Sequence, residues 1–476
     1  MCYRARTDLG ATGFKKMSWA VVAATLLCGT ARAAEVTRVV SAQGEDDKFD
    51  FNLTLWWLHQ VESSFVKRES ESIYSAQTEI IRDSKYTAQR DTLNLRADFG
   101  LLWDVGIHIQ APLVLSDSSS LYFDQSDGGN CVYPMPANPS APRPTCVNSQ
   151  NSQLLGEGIL PFSKDATGQV NGFGINAPAG KPFPTSSNQI FQSPNRKGFQ
   201  NLGIGVTWAA FNQLRDDTKP TWTLSFDALL DVFKDMGFDP ANPGANTAVG
   251  PGYHQLVFST FVSKRFRYFD PFIGAWYMLP IRTNNSIFQT YPNQTTNTPQ
   301  QQAGIVAGVE QIAWENVPAR QRVTIEARVS LQEFFFGRGY SELWQPLAGA
   351  SNCNEQNPGN CRPNIDLQYM DGNNQVMRPY PGVTDIDPYA VIGGQLGLNV
   401  QVGRYVRFHG LFGLSAAAPH NITGTSPGID LNGDGRVDAN EPVNAAYREA
   451  IDIPGRRFRV EGTQIWSLLL EGSMMF

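Results

Sequence analysis

The chain has 476 residues, a formal net charge of -6, 17% charged residues and a mean hydropathy of -0.28. That hydropathy excludes a bundle of membrane helices, and the acidic balance excludes a nucleic-acid partner as an expectation. With 43 Gly, 30 Pro and 11% aromatic residues, turns and aromatic girdles are favoured over helices.

In chain order, Arg4, Arg6, Lys15 and Lys16 precede an apolar run from Trp19 to Leu27, followed by Ala31-Arg32-Ala33. A basic region, a short apolar core and a small-x-small site read as a signal peptide over 1–33, leaving 34–476 as the mature chain. Cys28 follows Leu27, and a lipid-modified cysteine needs a small residue there, so lipoprotein processing is discounted. Beyond Ala34 no stretch reaches the ~18 to 20 unbroken apolar residues of a membrane helix. A membrane-spanning form of this chain must therefore be a closed barrel, the one strand structure that satisfies its backbone in lipid.

After a polar leader, a first strand is expected from Lys48 to Glu62, with Phe49, Phe51, Leu53, Leu55 and Trp57 in one register. A hairpin follows. Leu93, Leu95, Ala97, Phe99 and Leu101 alternate with polar residues, turn at Trp103-Asp104, and continue as Val105, Ile107, Ile109, Ala111 and Leu113. The unit recurs over 201–233, 254–281, 302–334 and 389–414, and a final strand covers 457–476. The expectation is an all-β fold: a transmembrane antiparallel up-and-down barrel of about 12 strands. Short connections alternate with long ones throughout. The long ones include 63–89 and the segments near 117–199, 337–387 and 417–456, which are expected to be extracellular.

Two cysteine pairs fall in these long segments, Cys131 with Cys146 and Cys353 with Cys361. In an exported chain that even count is consistent with two local disulfides, although connectivity is not readable from sequence. The 117–199 segment is Gly-, Pro-, Ser- and Asn-rich with scattered apolar residues, which leaves open whether it forms a plug or a cap.

The register expected to face inward carries Arg96, Asp98, His108, Asp227, Asp231, Glu326, Arg328, Arg407, His409 and Glu471, with Arg459 and Glu461 on the final strand. Two readings stand: a polar conduit whose charges bias a permeating solute, or a lumen cross-braced by ion pairs. Trp57, Trp103, Trp208, Trp222 and Trp314 near strand ends read as interfacial anchors.

The closing stretch FRVEGTQIWSLLLEGSMMF places Trp466, Leu468, Leu470, Gly472, Met474 and Phe476 on one face and a mixed polar set on the other. A terminal aromatic strand of this kind resembles the C-terminal signature of Gram-negative outer-membrane β-barrels; no single porin family is matched. The resemblance implies an integral protein of the outer membrane, in contact with its lipid. It also implies recognition of the closing strand by the barrel-assembly machinery, and passage of small solutes as the commonest role.

The sharpest local motif is DLNGDGRVDANE, which matches D-x-[DN]-x-[DN]-G-x5-E in full. Oxygen ligands for Ca2+ are expected from Asp430, Asn432, Asp434, the Arg436 carbonyl, Asp438 and Glu441, with Gly435 allowing the sharp turn. The flanks contain Pro and Gly, so a structural extracellular calcium loop is expected rather than a sensor hand.

Some barrels of this size are similar to outer-membrane lipid hydrolases, which need a nucleophile beside a histidine near the outer rim. The histidines are His59, His108, His254, His409 and His420, and none lies in a motif of those families. Three classes remain, in decreasing order of expectation: a solute channel, a plugged surface platform for adhesion or assembly, and an outer-leaflet lipid enzyme.

Overall fold

The computed structural model describes residues 34–40, 50–71, 78–124, 162–164, 170–173, 189–237, 246–284, 286–288, 293–348, 381–438 and 440–476. The signal peptide and all four loop cysteines, Cys131, Cys146, Cys353 and Cys361, lie outside the described residues.

Twelve antiparallel strands follow one another around a closed barrel. They are β1 (Asp50–Glu71), β2 (Thr78–Leu101), β3 (Val105–Phe123), β4 (Leu202–Phe211), β5 (Thr221–Leu230) and β6 (Tyr253–Ser263). The second half comprises β7 (Phe269–Arg282), β8 (Gln302–Asn316), β9 (Gln321–Phe334), β10 (Tyr389–Val402), β11 (Val406–Ala417) and β12 (Phe458–Met475). The register between β1 and β12, from Asn52 opposite Met475 to Arg68 opposite Phe458, closes the wall and leaves no free edge.

Alternation decides which face meets lipid. Leu55, Leu95, Ile107, Ile204, Phe258, Ile273, Ile305, Val329, Leu396, Phe412 and Leu470 are exposed on the outside. Their sequence neighbours turn inward. A continuous exposed apolar band around a closed barrel is the lipid belt of a transmembrane barrel, because such a surface is unstable in water. Trp103, 81% exposed, sits at the β2–β3 turn, where it and Asp104 both have positive φ, so the tight turn presents an aromatic anchor to the interface.

The expected outer segment 63–89 is corrected by the structure: β1 and β2 continue well above the belt, paired out to Glu71 and Thr78. These upper halves carry Ser64, Val66, Arg68, Asp83 and Ser84 buried on their inner face and mostly polar residues outside, with Phe65 and Ile80 among them. Polar alternation without a lipid-facing half reads as loop in sequence, yet here the inner face is covered by other extracellular segments. Likewise β3 runs to Phe123, beyond the expected end at Asp117.

Candidate functional site

The lumen is the candidate site. All ten inward candidates occupy the inner register. On one wall, Arg96 Nη2 donates to Asp98 Oδ1 at 2.7 Å, and His108 Nε2 lies 2.5 Å from Asp227 Oδ1. Ser225 Oγ donates to Asp227 Oδ2 at 3.2 Å. The His108–Asp227 pair reaches from β3 to β5 across β4, and only Gly205 beneath it leaves the room. Asp231 is buried at the extracellular end of the same wall, where its backbone N–H donates to His254 Nδ1 at 2.9 Å.

On the opposite wall the groups form a chain. Arg328 meets Glu326 at 2.7 Å, His409 Nε2 lies 3.2 Å from Glu326, and His409 Nδ1 lies 4.0 Å from Glu471. Arg407 Nη2 donates to Glu471 Oε1 at 2.8 Å and to Ser473 Oγ at 3.1 Å. Both signs are thus present and mostly paired. Arg459 and Glu461, expected inside, are outside instead. Gly462 adopts φ +65 at a register shift between β12 and β1, and this bulge turns Phe458 and Val460 inward and Arg459 and Glu461 outward.

A group that the sequence reading missed lies at the periplasmic mouth. Residues 34–40 run across it inside the barrel. Ala34 N–H donates to Ser263 Oγ at 3.3 Å on β6, and Glu35 N–H donates to Glu310 Oε1 at 2.8 Å on β8. The Glu35 carboxylate pairs with Arg407 on β11 and with Arg38 at 3.7 Å. At the far side, Val40 O approaches Gly106 on β3 so closely that a Cβ there would lie 2.9 Å away. Beside this segment remains a cavity of about 280 Å³ lined by Glu35, Arg38, Asn52, Asn212, Gln401 and Arg404 among others. In sequence this segment opens the leader before the first strand, and no local pattern marks it as a lumen residue set.

The extracellular mouth is filled from above. The short strands Gly337–Gly339 and Thr384–Ile386 pair, joined by the buried Arg338–Asp385 ion pair at 3.2 Å. The helix Trp344–Ala348 is buried throughout, and Leu343, Leu347, Val383 and Phe288 are fully or almost fully enclosed. Arg196 donates to Ala248 O and Gly237 O at 3.0 and 2.8 Å, with its guanidinium 4.8 Å from the Trp344 ring. Phe334, Tyr389 and His420 form a continuous stack at the rim, with centroid spacings of 4.5 and 3.7 Å.

The 417–456 segment is held by Asp452, which accepts N–H bonds from Gly424, Thr425 and Arg448 at 2.7 to 2.9 Å. Burial pushes its carboxyl up to about 6, against the opposing pull of those N–H donors. In the same segment, Asp430 accepts from Gly433 and Gly435, and Glu441 accepts from Leu431, Asn432 and Asp438. Asn432 Oδ1 accepts from the Asp434 N–H, and Asp434 Oδ1 from the Arg436 N–H. The Gly435 and Gly433 N–H groups hold the Asp430 carboxyl below the usual carboxylate range. Among the described residues no three His, Cys, Asp or Glu side chains converge to metal-holding geometry. The loop has the turn architecture of a calcium loop, with Glu441 directed to backbone donors.

His59 pairs with Asp91 at 2.8 Å on the outer wall. Its register neighbours are Trp57, Val61, Asp91 and Leu468, and none of these four carries a hydroxyl or thiol. His420 bonds the Ala418 carbonyl at 2.9 Å.

No family model matches the chain, and no curated protein matches it. Among solved structures, an outer membrane channel from Pseudomonas putida F1 aligns at 8% identity and TM-score 0.37, covering 89% of this chain and 95% of that one. A Pseudomonas aeruginosa FadL homologue aligns at 8% identity and TM-score 0.30, covering 90% of each chain. An anion-selective porin from Comamonas acidovorans aligns at 7% identity and TM-score 0.19, covering 90% of this chain and 100% of that one. Likenesses this distant carry no argument about activity. The closed wall, the lipid belt and the division into short turns and long outer segments place the protein: it is an integral β-barrel of the Gram-negative outer membrane.

Proposed function

We propose that the barrel is a gated channel for small solutes, with a lumen that selects by charge pairing rather than by size alone. The observation that carries this reading is the inner wall itself. Two charged tracks, Arg96–Asp98–His108–Asp227 and Arg328–Glu326–His409–Glu471–Arg407, line the interior at membrane depth, where a barrel built only to be filled would be cheaper to pack with apolar side chains. The 34–40 segment and the extracellular core then act as the two gates. Single-channel conductance of the folded protein in a planar bilayer tests this: discrete steps support the reading, and a silent folded barrel overturns it.

The buried core at the extracellular mouth favours a second reading, a plugged barrel working as a surface platform, which the silent outcome would select. A lipid hydrolase is the least supported, given the surroundings of His59 and His420. In either of the first two readings the 430–441 loop takes Ca2+ as a structural ion, through Asp430, Asn432, Asp434, the Arg436 carbonyl, Asp438 and Glu441. Assembly is assigned to the barrel-assembly machinery acting on β12.

A further inference from the structure

The bulge at Gly462 has an outcome on the outer wall. Above it, Arg459 on β12, Lys67 on β1 and Arg82 on β2 stand in one lateral row: Lys67 is directly opposite Arg459 on one side and Arg82 on the other. Val66 and Arg68 beside Lys67 are buried inward, so the Lys67 ammonium faces out. Lys85, opposite Phe65, adds an exposed fourth cation on the same face.

Like charges directly opposite on neighbouring strands destabilise a sheet. Glu461 relieves part of this: it pairs with Lys67 and, at 3.0 Å, with Arg459. Arg82 lies over the Phe65 ring, 5.2 Å from its centroid, and reaches the buried Asp124 at 3.6 Å. Among the described residues, Lys67 and Arg459 share Glu461 and Arg82 reaches Asp124, on a chain whose net charge is -6. Among the described residues no carboxylate pairs with Lys85.

The height of the row identifies its ligand. The continuous apolar face of this wall reaches Val61 and Trp466, which are opposite one another, and above them only Phe65 and Ile80 stand singly among polar residues. From Val61 to Lys67 is roughly 20 Å along the strand, and about 15 Å vertically once strand tilt is included. Lys85 and Phe65 lie lower, within about 10 Å of the belt. That is the depth at which anionic headgroups meet a protein wall, and surface cations at that level attract them.

We propose that Lys67, Arg82, Lys85 and Arg459 form an outer-wall binding site for the phosphate groups of an outer-leaflet glycolipid. The site rests on the membrane placement of the barrel and is independent of the channel reading.

The test uses the full folded protein in detergent, titrated with a phosphorylated Gram-negative glycolipid and followed by native mass spectrometry. The same glycolipid after phosphatase treatment, and inorganic phosphate as competitor, form the other arms. The triple variant Lys67→Gln/Arg82→Gln/Lys85→Gln leaves the Arg459–Glu461 pair in place and is expected to lose affinity by about fivefold per charge removed. A matched variant on the periplasmic side, Lys219→Gln/Arg267→Gln/Arg320→Gln, is expected to bind as the parent. Heat-modifiable gel mobility checks folding, and the exposed Lys85→Gln alone gives the reading if the triple variant does not fold. Equal binding by the triple variant, equal binding of the dephosphorylated lipid, or displacement by millimolar inorganic phosphate would each overturn the site.

Discussion

Phe476 and Phe51 exchange both backbone hydrogen bonds, with Phe476 N–H donating to Phe51 O at 2.8 Å and Phe51 N–H donating to Phe476 O at 3.2 Å. Their rings stack with centroids 6.0 Å apart, and Phe51 also meets Phe99 at 5.2 Å. The closing seam is thus fastened at its periplasmic end by an aromatic ladder across three strands, each pair worth about 0.5–1.5 kcal/mol beyond its burial. Removing Phe476 should lower the fraction of heat-modifiable barrel several-fold while leaving the seam above Leu55 paired. Comparing folded yield for Phe476→Ala and the deletion checks this; unchanged yield in both would show that the ladder is dispensable.

Glu35 ties the 34–40 segment to the lumen wall through Arg407, with its backbone fixed to Glu310. Glu35→Gln removes one charge of this cluster and leaves Arg407 with Glu471 and Ser473. If the segment gates the periplasmic mouth, the variant should open more often or conduct at least about twofold more, since one released charged contact near a protein surface is worth a few tenths to ~1 kcal/mol. Planar-bilayer recordings of both proteins decide it, and identical open probability and conductance would separate the segment from gating.

The strands were legible because a lipid belt imposes strict alternation, as in Leu93-Leu95-Ala97-Phe99 against Asn94-Arg96-Asp98. The same alternation put His108, Asp227, Glu326 and Arg407 on the inner register. It failed where the period breaks. One left-handed residue, Gly462, shifted the β12 register and sent Arg459 and Glu461 outward, and no sequence rule marks that glycine apart from others. Nor could sequence place residues 34–40, whose partners Ser263, Glu310 and Arg407 are more than 200 positions away. The upper halves of β1 and β2 were unreadable for a third reason: their outer faces carry Lys67, Glu69, Arg82 and Lys85 in place of the lipid-facing apolar set that marks the strands below.

Calcium should order the 430–441 loop. Glu441 accepts from the N–H groups of Leu431, Asn432 and Asp438, and coordination of an ion requires it to swing toward the Asp430 side chain. Isolated extracellular loops of this class bind at ~0.1–1 mM, so millimolar calcium should slow proteolysis within the loop and Asp430→Ala should abolish the protection. Equal cleavage rates with calcium and with chelator would remove the ion from the account.

Asp452 gives the outer segment a pH dependence whose sign can be worked out. Its folded pKa, pushed up to about 6 from an ordinary 3.8, means that the folded segment takes up a proton as pH falls through that window. Folding is then favoured at lower pH: local stability should rise from pH 7 to pH 5 and flatten below the unfolded value. Amide exchange at Gly424 and Thr425, corrected for intrinsic rates, should slow accordingly, and Asp452→Asn should remove the dependence. A dependence that persists in the Asn variant would assign it to another group.

Gly205 tests whether the His108–Asp227 pair depends on the space beneath it. A Cβ at Gly205 would collide with both His108 Nε2 and Asp227 Oδ1, neither of which sits at the end of a long flexible chain. Gly205→Ala must therefore displace the imidazole, at a cost of about 1–3 kcal/mol for overpacking, and should shift the lumen's charge selectivity along with its stability. Gly394 provides the contrast: it faces lipid on β10 with nothing within 4 Å of an added Cβ, so Gly394→Ala should be neutral or stabilising by about 0.5–1 kcal/mol. Urea unfolding from lipid vesicles measures both. Equal midpoints for the two variants would mean that the wall relaxes around Gly205 and that the pair does not depend on its glycine.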